Sequence, residues 1–556
     1  MAALLWLFVC GIHISSADAA GLRGQINTQD VESALFTELA SNARGGIAQE
    51  HIHSLEEALR PMFNVVPREA DGSLAHPVVR YVLHRFFVLR HGWFIRGLEP
   101  NASASQGNQS LQDLQDWVPA YLQRFIERLQ DGRGMNLREL AIIAATLDDL
   151  VHKEAVARLE QAFDAIDLST STKLDQAKTR QVLEIWMMIY MLGGRFKIRG
   201  QKKVMKAHQI FINKIKDWDG VQDWVHELQL KLFPASSNTS LDFNTTVRVV
   251  EEVGRTYAEY NRKACQKLKT ELVSVESKKA GRVRLTEFYK KGLAGVFDFG
   301  EKVDYLRVLG ALDESDPNQP YVIVPNYVGS RPNCLVTSTF YVVCCRNECE
   351  DLMGTLEQRI SKEDGSPEQI LQIVPELSTD TTPARRNLSE SLVQRLWSVA
   401  DMHGGVIPLH GRLFGQWMHH AFPRECPYPH GSGVTVPQTA DEWMEGSGQA
   451  DAKASKEEML AHIESDECGV DECAFGADAR KYHDLSENEL PWDDSEELLR
   501  ARGSVEVLLQ PEAPSRSSYR GLASLAAVSS FASSVVFLAC KYALARARGG
   551  KIDVMV

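Results

Sequence analysis

The sequence predicts a mainly α-helical protein with EF-hand-like helical hairpins, a small strand-containing unit and a single transmembrane helix. Three observations carry this. Apolar residues recur at three- and four-residue spacing through most of 111–422. Runs rich in Val, Tyr, Phe and Thr, which suit a pleated surface, are confined to 321–345. An uncharged stretch of 20 residues, Gly521 to Cys540, is followed by Lys541, Arg546, Arg548 and Lys551, and 20 residues at about 1.5 Å each just cross a bilayer core.

Taken in order, residues 1–19 read as a signal peptide, with an apolar run from Leu4 to Ile12 and small residues at Ala17 and Ala19. Residues 20–98 form an N-terminal region of short amphipathic pieces, among them Asp30 to Leu39 and Val78 to Leu89, and a polar linker follows at 99–110. A helical domain is expected over 111–235, with helices at Leu111–Leu129, Leu137–Ile166 (Asn136 placed to cap it) and Ala177–Leu192. The run Ile185–Leu192 is apolar but too short to span, so it predicts a buried helix. Arg195 to Lys216 carries eight Lys or Arg among apolar residues; such a helix suits anionic lipid or an acidic partner, or simply presents a solvated face.

A second domain is expected over 240–445. It has helices at Thr246–Leu272, Leu285–Leu293, Leu352–Ile360, Pro367–Ile373, Ser389–Met402 and Leu409–Phe422, and strands at Tyr321–Pro325 and Cys334–Cys345. Residues 446–520 read as an acidic, largely disordered stalk, 521–540 as the span and 541–556 as a cytosolic tail, by the positive-inside tendency.

The net charge of −13 is concentrated: residues 441–500 hold 19 acidic against 5 basic residues, leaving the remainder close to neutral. A body without excess basic charge argues against a general nucleic-acid binder, which must displace counterions from phosphates. Ordinary apolar content, 44%, excludes a wholly disordered chain. Five Asn-x-Ser/Thr triplets, at Asn101, Asn108, Asn238, Asn244 and Asn387, are glycosylation candidates on a lumenal or extracellular body. Eight cysteines lie between signal and span: Cys265, Cys334, Cys344, Cys345, Cys349, Cys426, Cys468 and Cys473. Their even number predicts disulfides, in a pairing that spacing alone does not choose.

Two segments have the layout of helix, twelve-residue loop and helix. In 276–287 the turn glycine Gly281, the apolar Val283 and the closing Glu287 fit an EF-hand loop that starts at Glu276, but Lys278 and Ala280 stand where oxygen ligands are needed. Around Asp167, the oxygens of Asp167, Ser169 and Ser171 and the apolar Leu174 fit, whereas Thr172 replaces the glycine and Lys178 the closing acid. Both are degenerate, and unrelated helix hairpins fit them equally well. A third cluster gathers His403, His410, His419, His420, Cys426 and His430 within 28 residues, with Gln416 on the helix of His419 and His420. Zinc takes three or four such ligands, but the spacing matches no common zinc signature; histidines capping helices and packing near Trp417 are the alternative. Neither Cys344–Cys349 nor Cys468–Cys473 is a C-x-x-C pair, and no phosphate-binding glycine loop or nucleophile elbow is present.

The stretches "GRVRLTEFYKKGL", "EKVDYLRVLGALDES", "FYVVCCRNECEDLMG" and "LHGRLFGQWMHHAFPRECPYPH" resemble a family of dinoflagellate membrane-anchored proteins with degenerate EF-hand-like segments, over most of 130–445. The resemblance implies a shared domain and transfers no catalytic residue. The expected function is a membrane-anchored lumenal or surface protein of the secretory route, structural or interacting, with a protein partner, no nucleic acid and no required cofactor. The alternative is a calcium- or zinc-binding protein, enzyme included; a factor using free thiols is a third reading.

Overall fold

The computed structural model describes residues 49–98, 134–193, 200–215, 217–234, 240–276, 279–295, 297–316, 319–338, 340–471 and 490–499. Helices α1 (Gln49–Val65) and α2 (His76–His91) form a hairpin, with β1 (Trp93–Ile95) after it. Helix α2 opens on Pro77, whose fixed φ suits a first turn, and stops at Gly92 in the left-handed region. A Cβ at Gly92 would lie 2.5 Å from that of Ala258, so the residue serves both the turn and a close helix approach. Helix α3 (Leu137–Asp164) starts at a capping box in which Asn136 and Glu139 satisfy each other's backbone N–H.

Next come α4 (Gln176–Met191), α5 (Gln201–Lys214), α6 (Trp218–Leu232) and the long α7 (Phe243–Val273), itself boxed by Asp242 and Thr245. As its apolar run predicts, α4 is buried from Ile185 to Tyr190, and the Trp186 indole N–H donates to Ala155 O at 3.0 Å. The C-terminal half holds β2 (Arg282–Arg284), α8 (Leu285–Leu293), α9 (Val303–Val308), β3 (Leu312–Asp313), β4 (Tyr321–Ile323), α10 (Val324–Val328) and β5 (Tyr341–Val343). It continues through α11 (Cys349–Ile360), β6 (Asp364–Gly365), α12 (Pro367–Ile373), α13 (Glu390–Met402), β7 (Ile407–Pro408), α14 (Arg412–Ala421), α15 (Ala440–Ser447) and α16 (Lys456–Asp471).

One device recurs. Loops that precede helices pair antiparallel with one another: Leu74 with Met135, Leu174 with Leu241, Val283 with Val322 within the sheet β2–β4–β3, and Gly365 with Ile407. Each pairing ties two hairpins together by main-chain bonds while the helices bury their apolar stripes. Three cores result. The largest joins α1 to α7 with Tyr341 and Val343; a second lies within α11 to α14; the third packs the end of α7 and α8 to α10 around Phe288, Phe299 and Tyr327.

Three expectations are corrected. The transmembrane helix is not part of the described fold: among the described residues no helix is long and apolar enough to cross a membrane, and the stretch predicted to span, 521–540, lies outside them, as does the signal segment. The fold is mainly helical with small antiparallel sheets. The strand-like runs do not make one unit either, because β4 pairs with β2 and β3 whereas β5 pairs with β1, more than 240 residues earlier in the chain. Part of the stretch read as an acidic stalk, 446–520, is helical, with α16 at Lys456–Asp471. Thr439 and Glu442 form a capping box for α15, Trp443 packs on Tyr305 at 5.1 Å, and Ile463 and Met459 of α16 join the third core. Ile463 and Met459 anchor a segment whose average composition is acidic.

Candidate functional site

The cysteines converge on one junction. Cys265 of α7 bonds Cys345, Cys334 bonds Cys344, and Cys349 at the start of α11 bonds Cys426. Cys473 lies outside the described residues, and Cys468 falls within α16. An ionic junction runs parallel to the sulfur one. Lys269, one turn after Cys265, donates from Nζ to Glu348 at 2.6 Å and to Glu425 at 3.3 Å; Glu348 precedes Cys349 and Glu425 precedes Cys426. Glu425 has no exposed side-chain area and also accepts from the Thr379 and Thr381 hydroxyls. Burial pushes the Glu348 carboxyl up, against the pull of Lys269.

A second buried network joins α2 to α11 and to His410. The Arg85 guanidinium on α2, 2% exposed, donates to Glu350 at 2.7 Å and to Glu357 at 2.5 Å on α11. His410 Nε2 lies 2.8 Å from the same Glu357 oxygen, and the Tyr81 ring stands edge-on to His410. A third pair, Arg282 to Asp313 at 2.6 Å, is buried between β2 and β3. No sequence signal marks these groups, whose partners stand from 31 to 272 residues apart.

Most of the residues singled out as ligands are engaged by other protein groups. Glu276 accepts from the Gly281 N–H at 2.9 Å with one oxygen and from Arg424 Nε and Nη2, at 2.9 and 2.7 Å, with the other. The positive charge facing this loop carboxylate is therefore a guanidinium. Gly281 is required twice over: its φ is +73°, and a Cβ there would sit 2.0 Å from Pro423 O, in the segment that presents Arg424. Glu287 pairs with Lys290 one turn on. In the earlier loop Asp167, Ser169 and Ser171 occupy one exposed turn, Asp167 at φ +57°, and the two serine hydroxyls bond each other at 2.8 Å. Leu174 enters the bridge to Leu241, and Lys178 stands in the first turn of α4, its N–H capped by Asp175.

The histidines diverge as well. His403 meets Glu496 at 2.8 Å, His430 Nε2 donates to Gly310 O at 2.8 Å, and His419 Nδ1 donates to Cys426 O at 2.7 Å. The His420 ring packs beside Trp492 at 5.7 Å, and Cys426 is consumed in a disulfide. Burial drives the His419 imidazole down to about 4, although the Cys426 carbonyl opposes it, and drives His420 down to about 3. A tetrahedral ion needs three or four lone pairs aimed at one point, and these side chains serve separate neighbours. Among the described residues no group of three or more His, Cys, Asp or Glu side chains is arranged to hold a metal ion. Of the glycosylation candidates, Asn244 and Asn387 are exposed, and Asn101, Asn108 and Asn238 lie outside the described residues. Comparison with known proteins returned no matching family model, no matching curated protein and no matching solved structure.

Proposed function

We propose that the protein is a non-catalytic interaction scaffold of an oxidising compartment, built from degenerate EF-hand-like hairpins that work without an ion. The observation that carries the reading is the engagement of Glu276. The carboxylate at the head of the loop bonds a backbone N–H and Arg424, so that protein groups satisfy the charge a calcium ion would otherwise meet. The antiparallel pairing of loop residues Leu174 with Leu241 and Val283 with Val322 supports the EF-hand-like assignment. Three cystines support a lumenal or extracellular setting, where disulfides persist.

Thermal unfolding with and without calcium, zinc or chelator tests the reading, alongside native mass spectrometry. An ion held at 100 times its dissociation constant stabilises the native state by about 2.7 kcal/mol. An unmoved transition and an unloaded mass are expected. A stoichiometric ion, or a transition that chelator lowers, overturns the scaffold reading in favour of a metal-binding protein.

A further inference from the structure

Residues 490–499 lie against the start of α14 as a bound peptide would. They belong to no helix or strand, and among them only Leu490 is buried, at 5% exposure. The surface they cover comes from 395–432 and meets the segment position by position. Trp492 packs against the second core, with the Arg395 guanidinium over its ring at 5.2 Å and the His420 ring 5.7 Å away. Arg412, buried at the start of α14, holds the main chain: its Nη2 donates to Asp493 O at 2.9 Å, its Nε to Ser495 O at 2.8 Å, and its backbone N–H to Glu497 O at 3.0 Å. The same Nη2 lies 2.9 Å from the Asp493 carboxylate. Glu496 accepts from the Leu413 N–H at 3.1 Å, in the first turn of α14 where a carboxylate is favoured, and meets His403 at 2.8 Å. Glu497 accepts from the Ser432 N–H and hydroxyl at 2.7 and 2.5 Å.

Two features separate this contact from core packing. Polar bonds to one guanidinium and to N–H groups hold the segment, with little apolar area removed from water, which is the make-up of an element that opens without the rest of the fold. The fit is also incomplete. Gln416 has no exposed area, and its side-chain oxygen accepts from Arg412 Nη1 and from the Asp493 N–H, each at 3.4 Å. Those two donors fix the amide's orientation, and its nitrogen meets no acceptor among the described residues. A buried donor left unmet is costly, so a peptide that brings an acceptor to Gln416 binds better than the chain's own segment.

We propose that this surface is a recognition site for acidic peptide segments of partner proteins, and that 490–499 is its tethered, displaceable occupant. The seated segment defines the partner's chemistry: an aromatic residue, an acid directly after it, and two consecutive acids four and five residues on. Arg395 and Arg412 supply the complementary charge. The main-chain bonds at Asp493, Ser495 and Glu497 select an extended backbone, while the aromatic and acidic side chains select the sequence. The inference rests on the scaffold reading and deepens it by naming a partner class. The two fail separately, because a metal found in the hairpin loops leaves the peptide titration below untouched, and a failed titration leaves the ion-free loops as they are.

The test uses the full chain and a fluorescein-labelled decapeptide with the sequence of Leu490 to Leu499, titrated by anisotropy. In the unaltered chain the tethered segment competes. Trp492→Ala with Glu496→Gln in the chain weakens that segment and should tighten binding of the free peptide about tenfold or more. Adding Arg395→Ala should weaken it about threefold by removing the cation over the aromatic ring, and a peptide of the same composition in scrambled order should not bind. In the unaltered chain, hydrogen exchange of the 493–497 amides should proceed through an opening that leaves α14 protected. A double variant that keeps its near-ultraviolet circular dichroism and takes up no peptide, or one that loses that signal, shows the segment to be structural and overturns the proposal. Exchange of 493–497 only together with α14 overturns it as well. Dimers that form with rising concentration and that the peptide dissolves overturn it in favour of a second copy's segment as the occupant.

Discussion

Replacing Arg85 by Met tests the buried network between α2 and α11. The guanidinium donates to Glu350 at 2.7 Å and Glu357 at 2.5 Å with both partners largely out of solvent. Two unit charges about 4 Å apart interact by about 4 kcal/mol at an effective dielectric of 20, in line with the roughly 3–5 kcal/mol lost when one partner of a buried pair is removed. Methionine keeps much of the stem, so the loss reports charge more than volume. Burial pushes the Glu357 carboxyl up, but His410 and Arg85 more than offset it and hold it below its ordinary value.

The depressed folded-state pKa of Glu357 sets the sign of the pH dependence. The stabilisation is fully present above the unfolded carboxylate pKa and is lost as pH falls through the folded one. The deficit of Arg85→Met should therefore be largest near neutrality and shrink below about pH 4. Guanidinium unfolding followed by tryptophan fluorescence measures it, with hydrogen exchange at α2 and α11 as the local readout. Adding Glu350→Gln and Glu357→Gln should recover at least about 2 kcal/mol, because those carboxylates no longer need the cation. Strict additivity of the three substitutions, or a deficit of Arg85→Met independent of pH, would refute the network as the cause.

Loop closure ranks the cystines. With separations of 80, 77 and 10 residues, the chain-entropy estimate gives about 4.5 kcal/mol for each long bridge and about 2.7 kcal/mol for Cys334–Cys344. Paired Cys→Ser variants compared by denaturant midpoint should follow that order, and an inverted order would place the effect in native packing instead. Burial, reinforced by Arg331, Arg85 and Arg80, drives His84 down to about 3, and His419 lies at about 4. The unfolded chain takes up protons near pH 6.5 that these native rings refuse, so stability should fall as pH drops below that value, by about 1.4 kcal/mol per histidine at about pH 5.5. His84→Leu should flatten the decline; an unchanged slope would show that other groups titrate.

Local periodicity made most helices legible. The observed bounds of α3, α4, α7, α8 and α12 fall within three residues of the predicted ones, because neighbours at three and four residues and caps such as Asn136 are contained in the segment itself. The same holds for the buried run of α4 and for the incomplete ligand sets of both hairpin loops, since a Lys or Ala at a ligand position is visible without coordinates. Only the tertiary structure decided which loops pair, which carboxylates Arg85, Lys269 and Arg424 meet, and which cysteines bond. Those partners lie from 77 to 272 residues away in most cases, and nothing in a short window encodes a meeting fixed by how helix faces stack.

The histidine cluster shows the limit most plainly: six side chains close in sequence point to different neighbours, because each follows the orientation of its own helix or loop. Average composition also misled at 456–471, where burial of Ile463 helps hold a helix with an acidic surface. Composition sums over all residues, whereas folding depends on the few whose apolar area is removed from water.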